Sequence, residues 1–524
     1  MGELVADVLV VGGGPAGAWA ALAAARGGAR VVLVDKARCG AAGPTARGPV
    51  SLWYVPPGPA RDEAVRQSYA HGGNLGDPDW MHRVLEETHR RVDQLIRPGY
   101  RGPGDRPARI TVAGDTYLGR LRRSLVVAGV RILDHHPALQ LLVDGAGVVG
   151  GATGVRALGG TDWTVRAAAV VLATGGCAFL SGGAGTDVDT GDGLLMAAEA
   201  GGELSGMEFS NAYSLAPIGH SRLAEVAAVP VPGVAAGPDP ALHSATLYDD
   251  SGAVLGGGQF GSRAGAFAAL ADGRRVYAAL AELPEPLRVQ LAPAAAAGRV
   301  LLRAVAEGTV RGGGGLRLIG YDCATTVSGL FAAGDVATRE PVTGAAGGFG
   351  GQGGAWAIAS GAWAGAGAAR FAATIGTGRM RRVRPVPGAG LNAVPGIDPR
   401  AVVGLVQEHT LPLRRSYWRS AGSLHDSITE LDALWPVAEF GLGGTGADRL
   451  YARQAAALLA VARWTKYSAL ARTESRGMHR RTDHPAEAGD WRVRLVSGGV
   501  ESVWVRPEQP DPGAATPWAD LTSA

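Results

Sequence analysis

The sequence predicts an α/β fold built around a parallel sheet, with a helical region toward the C-terminus. Three observations carry that expectation. A short, β-branched apolar segment runs into a glycine turn and an alanine-rich helix ahead of Asp35. Segments of the same buried-strand character return at 165–176 and 329–336, and the stretches 402–411 and 450–471 repeat apolar residues at helical spacing.

The chain has 524 residues, enough for a large core and two or three domains. Hydrophobic residues make up 46% and charged residues 19%, which excludes wholesale disorder. Glycine stands out: its 82 residues are well above the usual share of about 7%. They follow no G-X-Y period and sit among Ala and Val, so neither collagen nor a polar linker explains them. The net charge of +3 comes from interspersed signs, and no nucleic-acid partner is expected. The basic run Arg379-Met380-Arg381-Arg382-Val383-Arg384 reads as a solvated loop.

Cys39, Cys177 and Cys323 lie far apart, so neither a disulfide framework nor an iron–sulfur cluster held by this chain alone is expected. That usage fits a reducing, cytoplasmic setting. No signal peptide is read at Met1-Gly2-Glu3, which lacks a basic start, and Asp7 interrupts the apolar run. The uncharged span 341–369 invites a membrane reading. Its glycines, Gly344 and Gly347 through Gly354 among them, would leave backbone groups unsatisfied in lipid, so no membrane insertion is expected. No His, Asp or Glu cluster has metal-ligand spacing.

The first element is a buried strand over 5–11. Gly12-Gly13-Gly14-Pro15-Ala16-Gly17 follows, a G-x-G-x-x-G that opens a helix from Pro15 to Arg26; a second strand, 29–34, ends in Asp35 with Lys36 beside it. Gly12 permits the tight turn, Gly14 lets the backbone approach a pyrophosphate, and Gly17 lets helix and strand pack closely. The helix N-terminus that Pro15 opens offers free N–H groups, that of Ala16 first, and a positive dipole end to phosphates. Asp35 stands where an adenosine ribose would be held. A carboxylate there disfavours a 2′-phosphate and leaves FAD or NAD; a glycine-rich turn without nucleotide is the plainer alternative.

Two distant segments favour FAD. Ala173-Thr174-Gly175-Gly176 ends one returning strand, a turn that in two-dinucleotide flavoproteins passes beside the adenosine part. Gly334-Asp335 ends another and would place an acid on the ribityl chain. The run Gly347 to Gly354, with Gly350 and Gly351, leads into a helix over 355–373 whose N-terminus would hold negative charge at the flavin pyrimidine edge.

With these residues in place, the sequence resembles the FAD-dependent fumarate reductase/succinate dehydrogenase flavoprotein superfamily, which includes L-aspartate oxidase and the adenylylsulfate reductase α subunit. After Ala173-Thr174-Gly175-Gly176 come Thr190-Gly191-Asp192-Gly193, Ala200-Gly201 and Met207-Glu208-Phe209 in the family's order. Glu474-Ser475-Arg476-Gly477-Met478-His479-Arg480-Arg481, followed by Asp483 and Pro485, is similar to its E-S-R-G-x-H-x-R segment. The resemblance implies a Rossmann-like FAD-binding domain over 1–204 and 308–385, an inserted α+β capping domain over 205–307, and a C-terminal helical domain over 386–524 that ends in a hairpin between Trp491 and Val505. It adds Asp192 to the cofactor residues.

Several departures bear on substrate. Where the dicarboxylate enzymes have a His-Pro-Thr element, Tyr213 stands in the histidine's place. Their Asn-Arg-Leu-Gly-Gly element is here Gly347-Gly348-Phe349-Gly350-Gly351, without the arginine. Their His-Tyr-Thr-Met-Gly-Gly element is replaced by Val310-Arg311-Gly312-Gly313-Gly314-Gly315, which keeps Arg311 and no histidine. Glycine cannot supply a bidentate guanidinium, so succinate, fumarate and aspartate are expected to be poor substrates. The resemblance makes Arg263, in Ser262-Arg263-Ala264, the candidate proton-delivering arginine, and Tyr213 and His479 the other catalytic candidates, each with a structural alternative. The family's flavin-attachment histidine would fall near Ala42, so FAD is expected to be bound non-covalently. His135-His136 reads as a solvated turn, and Glu474 and Arg476 as ion-pair members.

The expected function is an FAD-dependent oxidoreductase, a dehydrogenase or oxidase that transfers a hydride between a small-molecule substrate and flavin N5, in a specialised biosynthetic step. Oxygen or an electron-transfer partner protein would reoxidise the flavin. An adenylylsulfate reductase-like subunit with an iron–sulfur partner and a non-catalytic flavin-binding protein are the alternatives. The oligomeric state is left open.

Overall fold

The computed structural model describes residues 3–95, 109–218, 242, 245–257, 263–375 and 381–509; Ser262, Arg379 and Met380 lie outside them. Leu4–Val11 is buried from Ala6 onward and forms the middle of an eight-stranded sheet. Its parallel neighbours are Val31–Val34 and Asp162–Leu172. Arg131–Leu133 continues the sheet beyond Val31–Val34, and Leu330–Ala332 pairs with Asp162–Leu172, also in parallel. Val149–Val155, Ala138–Val143 and Arg384–Pro385 extend the other side antiparallel. Strands separated by more than a hundred residues of chain therefore end at one edge of the sheet, where the glycine turns lie.

The apolar span that invites a membrane reading is an internal helix, Gln352–Ile375, packed along Pro15–Arg26. Small residues allow that approach: a Cβ on Gly361 or Gly365 would collide with the carbonyls of Ala16 and Ala20. No described helix is long and apolar enough to cross a membrane. The returning strand is shorter than the sequence implies, Leu330–Ala332 only, because Gly334 (φ +72°) turns the chain into the one-turn helix Gly334–Val336. In the basic run, Arg381 is no solvated charge. It reaches Asp144 at 2.9 Å, and the carbonyls of Val149 and Ala168 at 2.9 and 3.0 Å, pinning the sheet edge.

A second, five-stranded antiparallel sheet runs in the order Ala212–Pro217, Arg299–Glu307, Val276–Ala279, Thr246–Asp249, Val254–Gly257. It has its own core, to which Tyr213, Phe267 and Tyr417 belong. The C-terminal part is helical: Pro399–Thr410, Ala421–Gly441 and Asp448–Ala471. Asp398 caps the first of these by accepting from Arg400 N, and Ser420 and Ser423 form a capping box on the second. The chain then forms the hairpin Leu495–Gly498/Trp504–Pro507, whose inner strand pairs with Leu204–Ser205.

Candidate active site: a flavin cavity

A cavity of about 700 Å³ runs along the carboxyl ends of the parallel strands. Gly12, Gly14, Pro15, Ala16, Asp35, Lys36, Ala42, Ala173, Thr174, Gly175, Asp192, Gly334, Asp335, Gly350 and Gly351 all line it. Gly17 does not, and its reason is packing: a Cβ there would strike the carbonyl of Gly12. Gly12 has φ +110° and no room for a Cβ beside Ala173 O, whereas a Cβ on Gly14 would meet nothing within 4 Å. Gly14 thus keeps the turn open toward the cavity at the N-terminus of Pro15–Arg26, where a diphosphate would lie.

The carboxylates of the wall are set by their neighbours. Asp35 accepts from Gly13 N at 2.7 Å and Ala37 N at 2.8 Å; burial raises its pKa and these two donors oppose the rise. Asp192 is paired with Lys36 at 2.6 Å, and Lys36 also reaches Thr190 Oγ1 at 2.9 Å. Asp335 is held by the buried Arg339; burial pushes its pKa up and the guanidinium pulls it down. Asp189, 4% exposed, also lines the cavity, and its Oδ2 has no hydrogen-bond partner among the described residues.

Sequence reasoning did not single out Asp189, Tyr117 or Arg109, which all line the cavity. Tyr117 accepts from Trp19 Nε1 at 2.8 Å. His136 lines it too, which corrects the solvated-turn expectation. It is buried, with Nδ1 at 2.6 Å from Asp134 O and Nε2 unpartnered among the described residues. The signals present were slight: an acid immediately ahead of Thr190-Gly191-Asp192, and a histidine three residues after a strand.

The three catalytic candidates are not brought to the cavity wall. Tyr213 is buried in the core of the second sheet and donates to the carbonyls of Thr410 and Leu411, both at 3.0 Å. His479 is enclosed: Nδ1 lies 2.7 Å from Arg419 Nη1 and Nε2 lies 3.1 Å from Arg472 O. The first contact requires the lone pair on Nδ1 and the second the hydrogen on Nε2, so both ring nitrogens are spent. Burial and the adjacent Arg419 hold its pKa well below the ordinary histidine value. Arg263 stands at the N-cap of Ala264–Ala271 and does not line the cavity. Glu474 and Arg476 form a buried pair at 2.8 Å, joined by Arg472, which reaches Glu208 and Glu474 at 2.9 Å.

Comparison with known proteins completes the picture of the cofactor. Residues 7–220 match the model of an FAD binding domain, and 424–498 that of a fumarate reductase flavoprotein C-terminal region. The chain belongs to the fumarate reductase/succinate dehydrogenase flavoprotein superfamily. It is 33% identical over 233 residues to the L-aspartate oxidase of Mycobacterium leprae, covering 39% of this chain and 42% of that protein. To the Streptomyces coelicolor L-aspartate oxidase it is 34% identical over 229 residues, 39% of each. The chain thus matches less than half the length of these curated relatives. In fold it is similar to the E. coli quinol fumarate reductase flavoprotein, with TM-score 0.77, 22% identity and 98% of each chain covered. The Archaeoglobus fulgidus adenylylsulfate reductase gives 0.71 at 16% identity, covering 97% of this flavoprotein and 96% of that one.

The departure noted at Gly348 has a structural counterpart. At Gly348, a Cβ would lie 3.1 Å from Nε of Arg339. Arg339 commits its other nitrogens inward, to Asp335 and to the carbonyls of Thr309, Val310 and Gly312. It braces the turn that follows the second sheet. Arg109 and Arg311 are the guanidinium groups in the cavity wall, and Arg311 is paired with Glu307 at 3.0 Å.

Proposed function

We propose that this flavoprotein is an oxidoreductase that transfers a hydride between a small molecule and the flavin N5, and that its substrate is not a simple dicarboxylate. Bound FAD supplies the two-electron acceptor; the chain supplies position and charge. Gly12, Gly14 and the amides at Pro15–Arg26 would hold the diphosphate, Asp35 the ribose, and Asp335 the ribityl chain, while the N-terminus of Gln352–Ile375 would face the flavin pyrimidine edge. The fit rests on the open side of Gly14 and on wall carboxylates with acceptor capacity toward the cavity. With Ala42 in the wall where a histidine would be needed, the cofactor would be held without a covalent bond.

The observation that carries the substrate reading is at Gly348. The arginine that would clamp a carboxylate is absent, and the guanidinium packed against that position, Arg339, spends both Nη atoms on Asp335 and buried carbonyls and leaves only Nε without a partner among the described residues. The aspartate oxidase relatives make L-aspartate the first compound to test, and the missing clamp predicts slow turnover of it. The experiment is an anaerobic screen of the purified yellow protein, read as bleaching of the flavin band, with succinate, L-aspartate and sulfite included. Rapid bleaching by a compound with at most one carboxylate supports the reading. Efficient reduction by succinate or L-aspartate overturns the substrate assignment, and bound NAD or no cofactor overturns the whole. Oxygen uptake during turnover then separates an oxidase from a dehydrogenase that needs an electron-transfer partner protein.

A further inference from the structure

Four acidic residues line the cavity, and three of them have their charge answered. Asp35 has two backbone donors, Asp192 has Lys36, and Asp335 has Arg339. Asp189 differs. It follows the one-turn helix Thr186–Val188, and its backbone is fixed in both directions, N to Thr186 O at 3.0 Å and O from Ala178 N at 2.9 Å. Its Oδ1 lies against Gly175 (φ +81°), where any Cβ would collide with it, so the glycine of that turn leaves the room the carboxyl occupies. Its Oδ2 is sealed without a donor among the described residues.

The charged groups that act most strongly on Asp189 are Asp335, Lys36, Asp187 and Asp192. Lys36 is the only cation in that set, and it is already spent on Asp192 and Thr190. An anion here would be buried with one oxygen lacking a donor, beside Asp335 and Asp192, whose own cations are committed to them, so the neutral acid is favoured. Burial, then Asp335, raise the pKa well above the ordinary carboxyl value. Asp189 also lies near the Val310–Gly315 segment, which the resemblance sets where relatives carry the His-Tyr-Thr-Met-Gly-Gly element. The adjoining Gly176 packs against Thr309 and Val310, and Val310 and Arg311 share the cavity wall with Asp189.

We propose that Asp189 is the proton-transfer residue of this cavity, whose wall Tyr213, Arg263 and His479 do not line. This rests on the oxidoreductase reading above. With bound FAD as the oxidant that would take the C–H hydrogen and its electron pair, the O–H or N–H proton would pass to the Asp189 carboxylate as the C=O or C=N bond forms. In the reverse direction neutral Asp189 returns that proton. The sign of the pH dependence follows: the base form accumulates as pH rises through the raised pKa, so substrate oxidation speeds up with pH and reduction slows.

The test compares wild type with Asp189→Asn, which keeps the shape and cannot titrate, and Asp189→Glu, which can. The first readout needs no substrate. Infrared spectra of the FAD-loaded protein at neutral pH are expected to show a protonated-carboxyl band that Asp189→Asn abolishes at unchanged flavin occupancy. With a substrate in hand, Asp189→Asn is expected to slow flavin reduction ~10²-fold or more and to flatten its pH profile, with partial rescue in Asp189→Glu. An unchanged infrared band, or an unchanged pH profile, overturns the proposal. So does loss of flavin from Asp189→Asn with wild-type behaviour of the remaining holoenzyme, which makes the residue a cofactor ligand only. If no compound reduces the flavin, the oxidoreductase reading fails on its own, and the infrared band still decides the protonation of Asp189.

Discussion

The turn Gly12–Gly17 and the segment Glu474–Arg481 are the two densest motifs in the chain, and the fold uses them in opposite ways. The first is built mostly from glycines and turns its backbone outward: Gly14 faces open space at a helix N-terminus. The second is built from long charged side chains and turns them inward. Arg472, Glu474, Arg476, His479 and Arg481 are all at most 2% exposed, and their partners are one another, backbone carbonyls, Glu208, Arg419, Asp483 and Glu487. A motif that leaves hydrogen-bonding groups unmet inside a cavity points to a ligand. One whose groups are all met inside the protein points to architecture.

The largest expected effect comes from filling the open turn. Gly14→Val adds bulk where nothing stands within 4 Å, so the protein should fold with near wild-type stability and purify colourless. Gly12→Ala acts differently: its Cβ would collide with Ala173 O at a left-handed backbone position, so stability and flavin should be lost together. Flavin absorbance against thermal midpoint separates the two. A yellow Gly14→Val protein would break the assignment of this turn to the cofactor.

The second region answers to a different measurement. Arg472 bridges Glu208 and Glu474, all three at 0% exposure, and also donates to the carbonyls of Trp491 and Val493. Arg472→Met removes the cation and leaves two buried carboxylates, a loss of about 3–5 kcal/mol of stability. Denaturant unfolding should show it. In whatever fraction folds, the flavin spectrum should be unchanged, since no member of this network lines the cavity. A shifted flavin spectrum in the folded fraction would join the two regions that the geometry keeps apart.

How far each region can be read from sequence follows from the same contrast. The turn, its flanking strands and the helix Pro15–Arg26 are local: apolar runs, glycine spacing and the acid at 35 lie within one βαβ unit, and all appear in the structure. The returning strands are legible because a buried parallel strand reads as a continuous apolar run wherever it falls. The wall residues Asp189, His136, Tyr117 and Arg109 are not legible, since each owes its place to chain that returns from elsewhere. Nor does order along the sequence say which way a side chain points. Tyr213 lies on a strand buried at every position, where neither face is free for substrate. The exchange at Gly348 is non-local as well: the arginine packed there comes from position 339, and its role is to hold Asp335 and a turn.

The smallest effect sharpens the comparison most, because it sets a family position against a measured function. Tyr213 stands where the dicarboxylate enzymes carry a histidine, yet its hydroxyl is used up on the carbonyls of Thr410 and Leu411, and its ring meets Phe267 and Tyr417 edge-on at 6.4 and 5.9 Å. It ties the second sheet to the end of Pro399–Thr410. Burial pushes the phenol pKa up, so the group stays neutral over the working pH range. Tyr213→Phe keeps the ring contacts and removes one shared hydrogen bond, a loss of about 1 kcal/mol. The rate of flavin reduction and its pH profile should be unaltered, while the unfolding midpoint falls slightly. A loss of rate at unchanged stability would mean that the cap moves and brings this hydroxyl to the cavity during turnover. The boundary drawn between the architectural and the ligand-facing residues would then hold only for the resting state.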